Sequence, residues 1–355
     1  MITKFGLFEY NTENIGDEVQ SLAARRFLPR VDYYFDRDNI DGTQIGKDEV
    51  VKLIMNGWYT HHPENWPPKN SAIEPLLVSM HVEQDALNGE AAKAFSSAGS
   101  VEFLNTFGPV GARNYPTMEF LNSIGVESYF AGCITLTLNP ADGVKKRDYI
   151  LAVDVSDEVL KKIKSKTKRP VYAINTNRKK KLDRETRFLV SKFWLYLYQS
   201  AHFVVTTRLH TMLPCIALGT PVIAISGRDP KRYAGLIDLT NHMTEKEFLT
   251  KRIDYDHPAK NPTLYKKMRA TLEEKCTSFT GFDSHASYLG EMRVTDLLSD
   301  TRLAQFFLDA AYDTWLSEEY QQKCIELQGE LDAIGVLGVK DSARSLLSAL
   351  RRKLS

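Results

Sequence analysis

The stretch "HFVVTTRLHTMLPCIALGTPVIAIS", residues 202–226, decides the fold. "HFVVTT" has the uninterrupted β-branched, apolar character of a strand buried on both faces, and "LPCIALG" reads as a nearly all-apolar helix closed by Gly219. "PVIAIS" then supplies another buried strand, so the segment is one repeat of an α/β fold. Pro214 has no N–H to donate and fits near a helix start. That puts Arg208 and His210 in the turn at the strand's C-terminal end or in the first helical residues. Ligands of open α/β sheets bind at this edge, and the free N–H groups and dipole of a helix start favour an anion there. Arg208 adds a planar fork for carboxylate or phosphate, and His210 adds a proton carrier. The chemistry is that of an enzyme acting on a small phosphorylated acid. The alternative is an Arg208 paired with a buried acid and a His210 that caps the helix.

Outward from this segment the same alternation continues. "KFGLFEY", "VVKLIMNG", "PLLVSMHV" and "ESYFAGCITLTL" read as strands, with "GDEVQSLAARRFLP", "AAKAFSS" and "YPTMEFLNSIGV" as helices between them. Gly125 is placed to stop the last of these. After the polar turn "NPADGVKKRD" a second series begins with "YILAVDV", the helix "SDEVLKKIKSK" with Ser156 as N-cap, "PVYAINT" and the long helix "DRETRFLVSKFWLYLYQS". The expected architecture is α/β and GT-B-like: two Rossmann-like domains, 1–143 and 144–300, facing a central cleft, with a helical C-terminal extension over 301–355. In "DSARSLLSALRRKLS" the apolar Ala343, Leu346, Leu347, Leu350 and Leu354 form one stripe, with Arg344, Arg351, Arg352 and Lys353 away from it. Such a helix could rest on an anionic membrane or pack on its own protein.

A chain of 355 residues favours two domains, and 43% hydrophobic with 26% charged residues describes a globular protein. Net charge is +1, but Lys145–Arg187 holds fifteen Lys/Arg against six Asp/Glu, a patch suited to phosphorylated ligands or to a solvated face. Nothing here calls for a nucleic acid. The four cysteines lie far apart, which argues against a zinc site or disulfide framework and for a reducing compartment. The start "MITKFGLFEYNTEN" lacks the apolar core of a signal peptide, and no apolar run approaches the ~20 residues of a membrane span. The expectation is a cytoplasmic protein, with a place at the inner membrane face if its substrate is lipid-linked. Oligomeric state is not legible.

Three motifs in order resemble the polysaccharide pyruvyl transferases. They are "NIGDEVQSLA" (14–23), "GARNYPTMEFLNSIGV" (111–126) followed by "GCITLTL" (132–138), and "TRLHTMLPCIALGTPVIAI" (207–225). The likeness lapses beyond about residue 300. It implies a fold similar to GT-B glycosyltransferases, and transfer of the carboxyvinyl group of phosphoenolpyruvate onto two sugar hydroxyls as a cyclic ketal. Arg113, Arg208 and His210 match the family's catalytic and donor-binding positions, with backbone N–H groups over Leu209, His210 and Thr211 assisting. Asn114 departs from the Asp that many members carry.

On this reading two arginines clamp the donor's carboxylate and phosphate, and the methylene carbon is protonated. One hydroxyl attacks, then a second displaces phosphate and closes the ring. His210 is the expected general acid or base, with a pKa near working pH. The scheme needs no metal and no cofactor, and neither GxGxxG nor a Walker loop is present. Asn14, Gly16, Asp17 and Glu18, at the first strand-to-helix turn, are the acceptor-side residues, with Trp58 and His61 from the loop "NGWYTHHPENWPP". Alternatively, Asp17 and Glu18 only complement the helix dipole. Arg228, Lys231 and Arg232 are read as a solvated turn, and His61–His62 as poor chelating geometry. A nucleotide-sugar glycosyltransferase of the same fold and a non-enzymatic scaffold of a polysaccharide assembly complex are the competing functions.

Overall fold

In the computed structural model, which describes residues 1–176, 182–227 and 230–313, two all-parallel sheets follow one another along the chain. The first half runs β1 (Ile2–Glu9), α1 (Glu18–Arg25), β2 (Tyr33–Asp36), β3 (Glu49–Trp58), β4 (Ile73–His81), α2 (Glu90–Phe95), α3 (Ala98–Thr106), β5 (Val110–Ala112), α4 (Tyr115–Ser123) and β6 (Ser128–Phe130). Its six strands pair in the order β2-β1-β3-β4-β5-β6. The second half runs β7 (Ile150–Val153), α5 (Asp157–Lys166), β8 (Val171–Ile174), α6 (Arg184–Ser200), β9 (Phe203–Thr206), α7 (Leu209–Ala217) and β10 (Val222–Ser226). It continues with α8 (Pro230–Tyr233), β11 (Asn241–Thr244) and α9 (Glu245–Thr250), and the five strands pair β11-β10-β9-β7-β8. Three further helices follow, α10 (Tyr265–Thr280), α11 (Val294–Ser299) and α12 (Thr301–Asp313). The amphipathic stripe expected over 341–355 lies outside the described residues.

Each sheet has one face on its own core and one on a common core. Phe35, Leu53, Leu77 and Phe95 fill the outer face of the first sheet, and Ile150, Val205, Ile223 and Phe248 that of the second. Between the halves, Leu7, Leu22 and Ala23 join Trp194, Leu213 and Ile216 in one continuous cluster. Complete burial of side chains this size contributes about 1.5–3 kcal/mol each, so the halves are held together by apolar packing as well as by the chain. Ser156 caps α5 by accepting from Val159 N–H, and Gly125 (φ 82°) and Gly219 (φ 74°) supply the left-handed residues that end α4 and α7.

The structure corrects the sequence reading in three places. "GCITLTL" is not a strand: β6 stops at Phe130, and Ile134–Thr137 forms a 3-10 turn whose four residues are all buried. Apolar β-branched residues fit a strand or any fully buried turn, so composition does not separate the two. The short strands β2, β5 and β11 went unread because three or four residues give no periodicity. Pro214 lies well inside α7, not at its start. His210, four residues before Pro214, departs from helical geometry with ψ 16°, at the residue whose carbonyl would otherwise accept from position 214.

Candidate functional site

The C-terminal ends of β7, β8 and β9 meet around Arg208. Arg208 is the N-cap residue of α7 in extended geometry (φ −104°, ψ 133°), and its N–H donates to Thr206 Oγ1 at 2.9 Å. Its Nε donates to Asp154 Oδ2 at 2.9 Å, and the same oxygen accepts from Thr176 Oγ1 at 2.6 Å. Asp154 sits just past β7 at φ 53°, a left-handed conformation that Asp tolerates. The pairing with a buried acid therefore exists, yet it aims Arg208 without hiding it: the side chain is 34% exposed and lines a cavity of about 200 Å³. Asn14 and Gly16 of the β1–α1 turn line that cavity from the first half, and His210, Arg232 and Tyr233 from the second.

His210 faces the β1–α1 turn. A Cβ placed on Gly16 would lie 3.6 Å from His210 Cβ, His210 Nδ1 is 3.8 Å from Asp17 Oδ1, and Nε2 is 4.0 Å from Cys133 Sγ. Burial, and then the positive charges of Arg113 and Arg232, hold the imidazole well below its usual range. This corrects the expectation of a pKa near working pH: His210 is neutral in the unliganded protein.

Arg113 follows β5 directly, its N–H donating to Met80 O at 2.7 Å. The side chain is 0% exposed, and Nε, Nη1 and Nη2 are all buried without a hydrogen-bond partner. Burial and the neighbouring Arg232 push the guanidinium down to about 10. A buried cation with no counter-charge costs several kcal/mol. Arg232 adds positive charge beside it, and the Asp17 carboxylate offsets only part of the cost.

Two residues were missed. Arg232, read as part of a solvated turn, lines the cavity and lays its guanidinium over the Trp58 ring at 5.2 Å. Lys231 does behave as a surface residue, paired with Asp85 at 2.6 Å, while Arg228 lies outside the described residues. His81 closes β4, is 3% exposed, and stands beside Arg113, whose charge with burial depresses its pKa strongly. A polar residue ending an apolar strand at the ligand edge was the available signal.

The other expected residues divide. Asp17 accepts from Thr12 Oγ1 at 3.0 Å and Asn14 Nδ2 at 3.1 Å and lies against His210. Glu18 points elsewhere, into a two-pronged pair with Arg187 of α6, which also donates to Thr12 O at 2.7 Å. Burial raises the Glu18 carboxyl to about 8 against the pull of Arg187. Trp58 lies beneath Arg232, between His61, ring centroids 4.5 Å apart, and His81, 6.3 Å away. His61 Nδ1 is 2.9 Å from Arg37 Nη2, and Arg37 also reaches to within 3.8 Å of Asp17. Leu209 is buried, and Thr211 Oγ1 is spent on Tyr198 Oη at 3.1 Å. Among the described residues no group of three or more His, Cys, Asp and Glu could hold a metal ion, and no helix is long and apolar enough to cross a membrane.

The chain is similar to the polysaccharide pyruvyl transferases: the model of that family matches residues 96–229, which carry Arg113, Arg208 and His210. The match supports a transferase enzyme of polysaccharide biosynthesis. No curated protein matches the chain. The crystal structure of a functionally uncharacterized protein from Klebsiella pneumoniae subsp. pneumoniae is similar at 14% identity and a TM-score of 0.43, over 65% of this chain and 86% of that one. At that score the similarity carries no argument about fold or function.

Proposed function

We propose that the protein transfers the carboxyvinyl group of phosphoenolpyruvate onto two hydroxyls of a sugar, forming a cyclic pyruvate ketal and releasing phosphate. The observation that carries this reading is the buried guanidinium of Arg113, without a hydrogen-bond partner, which acts with Arg232 and Arg208 on His210. Arg113 from the first half and Arg208 and Arg232 from the second suit a donor with a carboxylate and a phosphate, and guanidinium forks bind both groups in two-pronged fashion. The fold is read as GT-B-like, with an acceptor-side domain over 1–143, a donor-side domain over 144–300 and an extension over 301–355. Capsule or exopolysaccharide synthesis is the matching context, and a lipid-linked acceptor would bring the protein to the inner membrane face.

Donor binding changes the proton chemistry of the site. Beyond burial, the charges of Arg113 and Arg232 lower the proton affinity of His210, and negative charge beside them offsets that part, so the affinity rises when the donor arrives. His210 then delivers a proton to the methylene carbon as C2 becomes oxocarbenium-like. Asp17, next to His210 Nδ1, stabilises the imidazolium. The test is phosphate release from phosphoenolpyruvate with methyl glycosides that carry vicinal or 4,6-hydroxyl pairs, followed by phosphorus NMR. Phosphate release that depends on a glycoside supports the reading. Protein that neither binds phosphoenolpyruvate nor releases phosphate removes it.

A further inference from the structure

His81 ends β4 of the first sheet next to Trp58, over whose ring the pocket-lining Arg232 is laid. β3 and β4 pair Trp58 with His81, and Arg113 N–H bonds Met80 O, so Trp58, His81 and Arg113 form a row across three adjacent strand ends. The tautomer of His81 follows from its neighbours. Asn114 Nδ2 donates to Lys231 O at 3.0 Å and Arg232 O at 3.3 Å, while Asn114 Oδ1 accepts from Thr117 N at 3.3 Å. That fixes the amide's orientation. His81 Nδ1 lies 3.3 Å from this Oδ1, which can only accept, so Nδ1 carries the hydrogen. Thr117 Oγ1, 3.1 Å from Nδ1, is the second partner. Nε2 is therefore a bare lone pair, and it is buried with no partner. The Trp58 indole N–H, on a ring 6.3 Å away, is likewise buried without an acceptor.

A free acceptor and a free donor on neighbouring rings with centroids 6.3 Å apart match one hydroxyl, which both accepts and donates. Arg232, packed on Trp58 and lining the cavity, separates the pair from the pocket, and a donor anion that draws Arg232 onto itself uncovers it. We infer that His81 is the base for the acceptor sugar: Nε2 takes the proton of the ring-closing hydroxyl as that oxygen bonds to C2 of the donor. In this step the hydroxyl O–H bond breaks and an O–C2 bond forms. The C2–O bond to phosphate breaks with its electron pair leaving on phosphate, and the proton rests on Nε2. Asn114 is the positioning residue that keeps the tautomer. The charged and titratable groups facing His81 are Arg113, Arg232 and His210, and all three oppose its protonation. This role rests on the proposed transfer reaction.

The experiment combines kinetics and nitrogen NMR on the full chain. His81→Ala and His81→Gln should lower kcat about 10²–10⁴-fold, the range lost with a general base. Phosphoenolpyruvate affinity, measured by calorimetry, should stay within about threefold. Asn114→Asp puts a carboxylate on Nδ1 and should move the acid limb of the kcat profile up by about one to two pH units. Wild-type turnover with His81→Ala above a third of normal kcat, or a parallel tenfold loss of donor affinity, overturns the His81 role and leaves the transfer reaction standing. Wild type that does not bind phosphoenolpyruvate removes the transfer reaction itself. The NMR arm needs no acceptor: at pH 7 His81 should be neutral with Nδ1 protonated, and a proton on Nε2 overturns the inference.

Discussion

Two buried arginines in this protein have opposite surroundings. At the seam between α1 and α6, Arg187 meets Glu18 with two nitrogens and donates to backbone carbonyls of the β1–α1 turn. At the end of β5, Arg113 is as deeply buried and meets nothing. Both cost desolvation, but only the first is repaid inside the fold. The contrast separates a cation that joins the two halves from one whose partner, on the proposed function, is the donor. It also bears on the imidazoles beside Arg113: burial first, and then the charges of Arg113 and Arg232, push His81 and His210 well below the usual imidazole range.

The largest expected effect is at Arg113. Arg113→Met should lower kcat/KM for phosphoenolpyruvate by on the order of 10³-fold or more, because a buried charge-assisted contact is lost. It should also raise unfolding stability by about 1–3 kcal/mol, since the unpaired charge goes with it. Urea unfolding and initial rates on one preparation read both signs. A destabilised Met variant would mean that Arg113 serves the fold.

Next is the seam. Glu18→Gln leaves Arg187 buried beside a neutral group and should cost about 3–5 kcal/mol in urea unfolding at pH 9, above the value of about 8 at which the Glu18 carboxyl ionises. A loss below about 1 kcal/mol would erase the distinction between the two arginines.

A smaller effect lies in pH. The folded pKa values of His81 and His210 are lowered, so the unfolded chain binds protons that the fold refuses as pH falls below about 6.5. Their contribution to stability is fully present above that value and is lost as pH drops towards the folded pKa values. The slope is up to about 1.4 kcal/mol per pH unit for each group. His81→Gln should show a shallower loss between pH 7.5 and 5.5 than wild type. The smallest signal is proton uptake on donor binding, at most about one proton per site at pH 6.5. Calorimetry in buffers of different ionisation enthalpy measures it, and zero uptake contradicts the field argument.

Much of the framework was legible because buried parallel strands such as "HFVVTT" and "PVIAIS" carry their burial in composition. The Arg208 turn was legible for the same reason, since it follows such a strand. Arg232 was not, because a cation after a strand looks solvated until Trp58 is seen beneath it. Glu18 was misassigned for want of a partner 169 positions away in the chain. The pKa of His210 depends on Arg113 and Arg232, which only folding brings near, and no local pattern reports that.

The most direct measurement is a crystal structure with phosphoenolpyruvate bound. The account predicts a carboxylate or phosphate oxygen at about 2.7–2.9 Å from Arg113, with Arg208 on the donor's other anion. Donor density that leaves Arg113 still unpartnered, or that lies away from the ends of β5 and β9, would contradict it.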